Sequence, residues 1–155
     1  MVNARERQAA VTDQAAFSLI ELMIVMLVIG ILLAIGLPTY LGARHRAADR
    51  ATQSDMRTGL AAALAYYAET ANWDNFTVAQ ATIEEPHITW VGAVDPVVGQ
   101  VSIQIHAGQQ LLLVGRSRSG SYFCLAQLAT SPATAKGRGA SLASVDTVAE
   151  CTGGW

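Results

Sequence analysis

The chain has 155 residues, 52% of them hydrophobic, with a formal net charge of -2. That is enough for one domain plus an anchor, and too close to neutral to identify a nucleic-acid or membrane-surface partner by overall charge. The apolar residues are unevenly spread, and residues 22–37 form a run of sixteen without a polar side chain.

The first predicted elements are a short polar leader, residues 1–16, and an apolar segment, residues 17–41. With Leu19 and Ile20 before the run and Tyr40 and Leu41 after it, the segment reaches the roughly 20 residues that cross a bilayer core. A secretory signal peptide fits poorly, because the apolar region is long, carries Glu21, and is followed by "PTYLGARHR" without a small-x-small cleavage site. An ordinary single-pass anchor accounts for the length but not for Glu21. A carboxylate costs about 2.5–3.5 kcal/mol at the centre of an inserted helix, and less near its end, where it can snorkel to the interface.

The stretch "AAFSLIELMIV" resembles the class III signal of type IV pilins and pseudopilins: a polar leader, a small residue, then a Phe that opens the mature chain, with Glu as its fifth residue. Gly30 and Pro38 stand at the spacing common in that family's first helix, and "GLPTYLGARHRA" is similar to its usual exit from the membrane. The resemblance implies cleavage between Ala16 and Phe17 by a prepilin peptidase and N-methylation of the new Phe17 amine. It also implies that Glu21 of one subunit meets the Phe17 amine of another during filament assembly. One departure is Ala16, where the family usually has Gly. The resemblance is strong from Ala16 to about Tyr67, and beyond that extends only to architecture.

Orientation draws on two opposed signals. Arg44, Arg46 and Arg50 follow the span, whereas Arg5 and Arg7 in the leader are balanced by Glu6 and Asp13. A positive-inside count would therefore place the C-terminal part in the cytoplasm. Cys124 and Cys151, the only two cysteines, lie in the C-terminal third. Their pairing would require an oxidising compartment, and two buried free thiols are the alternative. Pilin-like topology puts the leader inside and the head outside, first as a single-pass membrane protein among inner-membrane lipids and then in an extracellular filament.

Beyond the span, Leu41, His45, Ala48, Thr52, Met56, Leu60, Ala63 and Tyr67 recur at three- and four-residue steps, so residues 42–68 read as the amphipathic half of one long helix. Joined to the apolar half, it would run about 75–80 Å at 1.5 Å per residue. Gly30, Gly36 and Pro38 weaken its middle, since Pro38 offers no amide to the Ala34 carbonyl. Membrane helices commonly tolerate such residues, and a stretch that melts during filament packing is equally consistent.

Residues 69–155 make up the rest of the head. "TANWDNFTVAQATIEEP" has no sustained period and reads as a long connection with at most a short helical turn. "HITWVGAV", "QVSIQIHAG", "QLLLVGRS" and "SYFCLAQLA" read as strands. Val101, Ile103 and Ile105 alternate with Ser102, Gln104 and His106, and Gly99, Gly108 and Gly120 serve as hairpin punctuation. The expected fold is α+β, type IV pilin-like: a long N-terminal helix packed on a three- or four-stranded antiparallel meander. The Gly/Ser/Ala/Thr-rich remainder would be a poor core by itself. The resemblance implies that a Cys124–Cys151 bridge ties it to the sheet as a disulfide-bounded C-terminal loop.

No catalytic, cofactor or metal constellation emerges, and the chain reads as a non-enzyme. His45, His87 and His106 fall on a helix, a loop and a strand, and adjacent Glu84 and Glu85 lack the opposed geometry of an acid/base pair. Glu69, Asp74, Glu84, Glu85 and Asp95 form an acidic stretch, and Arg116, Arg118, Lys136 and Arg138 a basic one. The basic residues suit contacts between neighbouring subunits, DNA phosphates or a merely solvated face. The expected function is a structural subunit of a type IV pilus-like filament, a homo-oligomer assembled by its hydrophobic helix and by the pilus machinery. Alternatives are a pseudopilin of a type II secretion system and a DNA-binding minor pilin of a competence apparatus.

Overall fold

The computed structural model describes residues 17–128 and 133–155, which divide after Leu41 into two units. A single helix, α1 (Leu19–Thr70), spans the boundary between them. In the first unit it begins after Ser18, whose hydroxyl accepts from the Glu21 amide at 3.4 Å. The large apolar side chains that follow are exposed along the whole unit. By length and composition this helix can cross a membrane. It continues unbroken through Gly30, Gly36 and Pro38, and Thr39 Oγ1 donates to the Ile35 carbonyl in the turn around the proline.

The second unit is an α+β head. Along α1, Thr52, Met56, Gly59, Ala63 and Tyr66 are buried, so the buried stripe takes in Gly59 and Tyr66, with Leu60 and Tyr67 only partly covered. Gly59 cannot register in a hydrophobic period, but it lies directly against Trp90. A Cβ at Gly59 would stand 2.8 Å from the Trp90 ring.

After α1 the chain turns at Ala71, which adopts a left-handed φ of 57° and donates to the Tyr67 carbonyl at 2.8 Å. The segment read as a long connection holds two anchors. Trp73 and Phe76 are among the largest fully buried side chains, and Trp73 Nε1 donates to the Ala63 carbonyl at 3.2 Å. A short helix, α2 (Val78–Glu84), follows, capped by Thr77.

The sheet has five strands in the order β1-β2-β3-β4-β5: β1 (Thr89–Val91), β2 (Gln100–Ala107), β3 (Gln110–Arg116), β4 (Tyr122–Leu128) and β5 (Thr134–Gly139). This corrects the three- or four-stranded antiparallel expectation twice. First, β1 pairs parallel to β2, with Thr89 opposite Gln100, so Gly99 does not close a hairpin. Instead the loop between β1 and β2 returns to the starting end of β1. Second, β5 forms within the segment read as a poor core, pairing antiparallel with β4. Gly108 and Gly120 do sit in the β2–β3 and β3–β4 turns, and like Gly99 they have positive φ.

Both faces of the sheet are covered. Val101, Ile103, Leu111, Leu113, Phe123 and Leu125 pack with the α1 stripe. Leu112, Val114, Tyr122, Cys124 and Ala126 pack on the other face with Val145 and Cys151. The clean alternation expected for β2 breaks at a bulge, where Ile103 pairs with Leu113 but Ile105 pairs with Leu112. The extra residue swings Ile105 to the face away from α1.

Candidate assembly site

At the N-terminus, Ser18-Leu19-Ile20-Glu21 has the S-x-x-E order of a capping box. The Ser18 half of that box is formed. Glu21 is the acidic residue of the first turn, where negative charge favours the helix dipole by about 0.3–1 kcal/mol. The carboxylate therefore has a local role that sequence reading missed, although the S-x-x-E spacing was its signal. Phe17 is exposed, and Ala16 lies outside the described residues with the rest of the leader. Gly30 and Gly36 have open space where a Cβ would stand, so nothing within the chain demands glycine there.

In the head, Cys124 and Cys151 are joined as a disulfide with Cα atoms 5.7 Å apart, both fully buried. The bridge fixes the C-terminal loop to the sheet face opposite α1. From Cys151 the chain passes the open edge of β5, where Gly137 bridges Gly153 and the Gly154 amide donates to the Lys136 carbonyl. It ends with Trp155 on the α1 face, its ring edge-on to Phe123 and its Nε1 donating to the Cys124 carbonyl at 3.1 Å. Gly137 makes this wrap possible, because a Cβ there would meet Thr152 backbone at 2.7 Å and Cys124 Sγ at 2.8 Å. An exposed strand edge is an invitation to unwanted pairing, and this wrap blunts it.

The four basic residues do not form one open patch. Arg116 lies over the Tyr122 ring and Lys136 over that of Trp155, which Arg57 of α1 also covers. Arg138 lies over Phe123, donates to Ser121 Oγ at 2.8 Å and pairs with Asp49 of α1 at 3.7 Å. Asp49 also accepts from Ser119 Oγ, so one carboxylate fastens α1 to the β3–β4 turn and to β5. Arg118 alone remains, exposed, beside a groove of about 400 Å³ that Arg44, Ala48, Thr52, Asp55 and Val98 also line. Burial pushes the Asp55 carboxyl up from its ordinary value.

The acidic stretch is likewise partly engaged within the head. Asp74 accepts from the Gly108 amide and Asp95 from the Tyr122 hydroxyl at 2.9 Å. Tyr122 is pushed up from its ordinary value by burial first, then by the hydrogen bond to Asp95. His45 lies on α1, His87 in the turn before β1 and His106 in β2. Among the described residues, no three His, Cys, Asp or Glu side chains come together as a metal-binding group.

The model of the prokaryotic N-terminal methylation motif matches residues 12–37. This supports the type IV pilin-like family and indicates a pilin- or pseudopilin-type, prepilin-like protein, since such a motif implies processing by a peptidase and assembly into pilus-like machinery. Among curated proteins and among solved structures, nothing matches the chain.

Proposed function

We propose that the chain is a structural subunit of a type IV pilus-like filament, stored in the inner membrane with its head outside, cleaved between Ala16 and Phe17, N-methylated at Phe17, and assembled as a homo-oligomer through its apolar helix. The observation that carries this reading is the apolar half of α1, exposed along its whole length, with Glu21 as its acidic first-turn residue, and matched up to residue 37 by the methylation motif. In a bundle of parallel helices, Glu21 of one subunit lies within reach of the Phe17 amine of a neighbour. A charge with a close partner escapes the penalty of a lone carboxylate in hydrocarbon, so only the correct stagger is free of that cost. Gly30, Gly36 and Pro38 supply the stretch where the helix yields during packing.

The disulfide in the head suits an oxidising compartment, which supports placing the head outside despite the arginines after the span. It also favours a pilus subunit over a secretion pseudopilin, whose major form resembles this architecture with a calcium loop in place of the bridge. Arg116, Lys136 and Arg138 each cover an aromatic ring of their own head, which favours a packing role over DNA contacts.

The test is shearing of cells followed by intact-mass measurement of the released protein. The expected product starts at Phe17 and carries one added methyl group. A mature chain that retains residues 1–16, or one that begins after Pro38, overturns the reading.

A further inference from the structure

The loop between β1 and β2 leaves Val94 and Val97 each 56% exposed and Val98 45% exposed. It is nevertheless firmly held. Ser102 Oγ donates to the Gly92 carbonyl at 2.6 Å, Gln104 Nε2 to that of Val94 at 3.0 Å, Tyr122 to Asp95 at 2.9 Å, and the Val97 amide to Gln100 Oε1 at 3.1 Å. Three valines on a pre-set loop lose little freedom on being covered. Val98 borders the groove where Arg44 and Arg118 outnumber the single carboxylate of Asp55. Among the described residues the one ion pair is Arg138–Asp49, so neither arginine has a carboxylate at bonding distance within the head.

Elsewhere on the head, the end of α2 carries the matching chemistry. Ile83 is 72% exposed, and Glu84 and Glu85 follow it directly. They accept hydrogen bonds from Gln80 Nε2 and from the His87 amide, and among the described residues neither has a cation at bonding distance.

We infer that the valine loop with Arg118 and Arg44 is a docking surface for a second copy of this chain, which inserts Ile83 against the valines and sets Glu84 and Glu85 against the arginines. The inference rests on the filament reading and names its head-to-head contact. The two surfaces are complementary to each other, and neither is complementary to itself. Such a contact is heterologous: each subunit offers one surface and keeps the other for the next, so growth is open-ended wherever the rotation does not close a ring, as in a helical filament. Opposite charges fix the register and exclude wrong pairings, while the apolar knob supplies burial.

Two measurements on the full chain in cells test the contact. In the first, R118E and the double reversal E84R/E85R each reduce sheared-fibre yield about tenfold, and the three changes combined restore it to within about threefold. Unchanged thermal unfolding of each detergent-extracted variant shows that the heads are intact. In the second, V97C combined with I83C gives, with a short bis-maleimide, a ladder of dimers, trimers and higher species, and neither single variant does. A combined reversal no better than its parts overturns the inference, as does a fibre-forming double-cysteine chain that yields no ladder or stops at dimers; anionic lipid or another protein would then be what the arginines meet. If the wild-type chain makes no fibre, the filament reading falls, and the contact is judged by the cross-linked ladder in membranes alone.

Discussion

Leucine, isoleucine and valine dominate two regions of this chain and meet opposite fates. From Leu19 to Leu37 the large apolar side chains are between 45% and 77% exposed, whereas Leu111, Leu112, Leu113 and Val114 of β3 have no exposure at all. Among the described residues the first region packs against nothing in its own chain, and under the proposed filament reading lipid or neighbouring subunits would cover it. The second, with α1 on one side and the C-terminal loop on the other, supplies the stability of the head. If the filament reading holds, the same side-chain chemistry serves assembly in one region and folding in the other, and mutations should separate the two.

The widest separation is expected from truncating one large side chain in each region. Trp73→Ala removes a buried ring and its bond to the Ala63 carbonyl and should destabilise the head by about 3–5 kcal/mol. Leu27→Ala, on the exposed half, should leave head unfolding unchanged. Thermal unfolding of the full chain in detergent, followed by near-ultraviolet circular dichroism, reads both, and an equal loss from Leu27→Ala would break the comparison.

Loss of the disulfide comes next. Replacing both Cys124 and Cys151 with Ala should cost about 3–4 kcal/mol in the chain-entropy account, since the bridge closes a 27-residue separation. It should also release Trp155 from Phe123, readable as a red shift of its fluorescence on reduction while the helical signal persists.

Glu21 sharpens the comparison from the other side. Glu21→Val should leave head stability, membrane insertion and cleavage intact and lower the share of protein in sheared fibres about tenfold or more, the size expected for an uncompensated buried amine. Glu21→Gln keeps the side chain's size and removes its charge, so a normal fibre yield from this variant would show that the residue serves only the first turn of α1. Glu21→Asp, one methylene shorter, should be intermediate.

Smaller effects are confined to the head. Ala71 sits at φ 57° at the end of α1, a conformation that glycine adopts without strain. Ala71→Gly should therefore raise stability by up to about 1 kcal/mol, measurable as a shift in denaturant midpoint. The smallest effect is at Asp55, whose carboxyl is pushed up by burial. A raised folded-state value favours the protonated form. The associated stability is fully present below the ordinary carboxylate range of about 3.9 and is lost as pH rises through the folded value. Asp55→Asn should accordingly unfold at a slightly higher temperature than the parent at neutral pH, and the difference should vanish on acidification below that range.

Sequence alone located the apolar half of α1 and the signal-like pattern that the methylation motif matches at residues 12–37. Composition and short-range order suffice there because, among the described residues, no tertiary partner covers those side chains. It also placed β2, β3 and β4, whose runs of branched and aliphatic residues pair as neighbours in sequence. Only the tertiary structure decided the parallel pairing of β1, the recruitment of "TAKGRG" as β5, and the burial of Gly59 at the Trp90 contact. Each depends on what another element presents. A strand as poor as β5 forms because β4 offers it a ladder and Gly153 and Gly154 cover its far edge. The basic residues show the same limit: sequence grouped Arg116, Arg118, Lys136 and Arg138, and folding put three of them over aromatic rings and left Arg118 exposed. Charge is a property of the residue, but whether it is already spent depends on long-range packing, which no local pattern encodes.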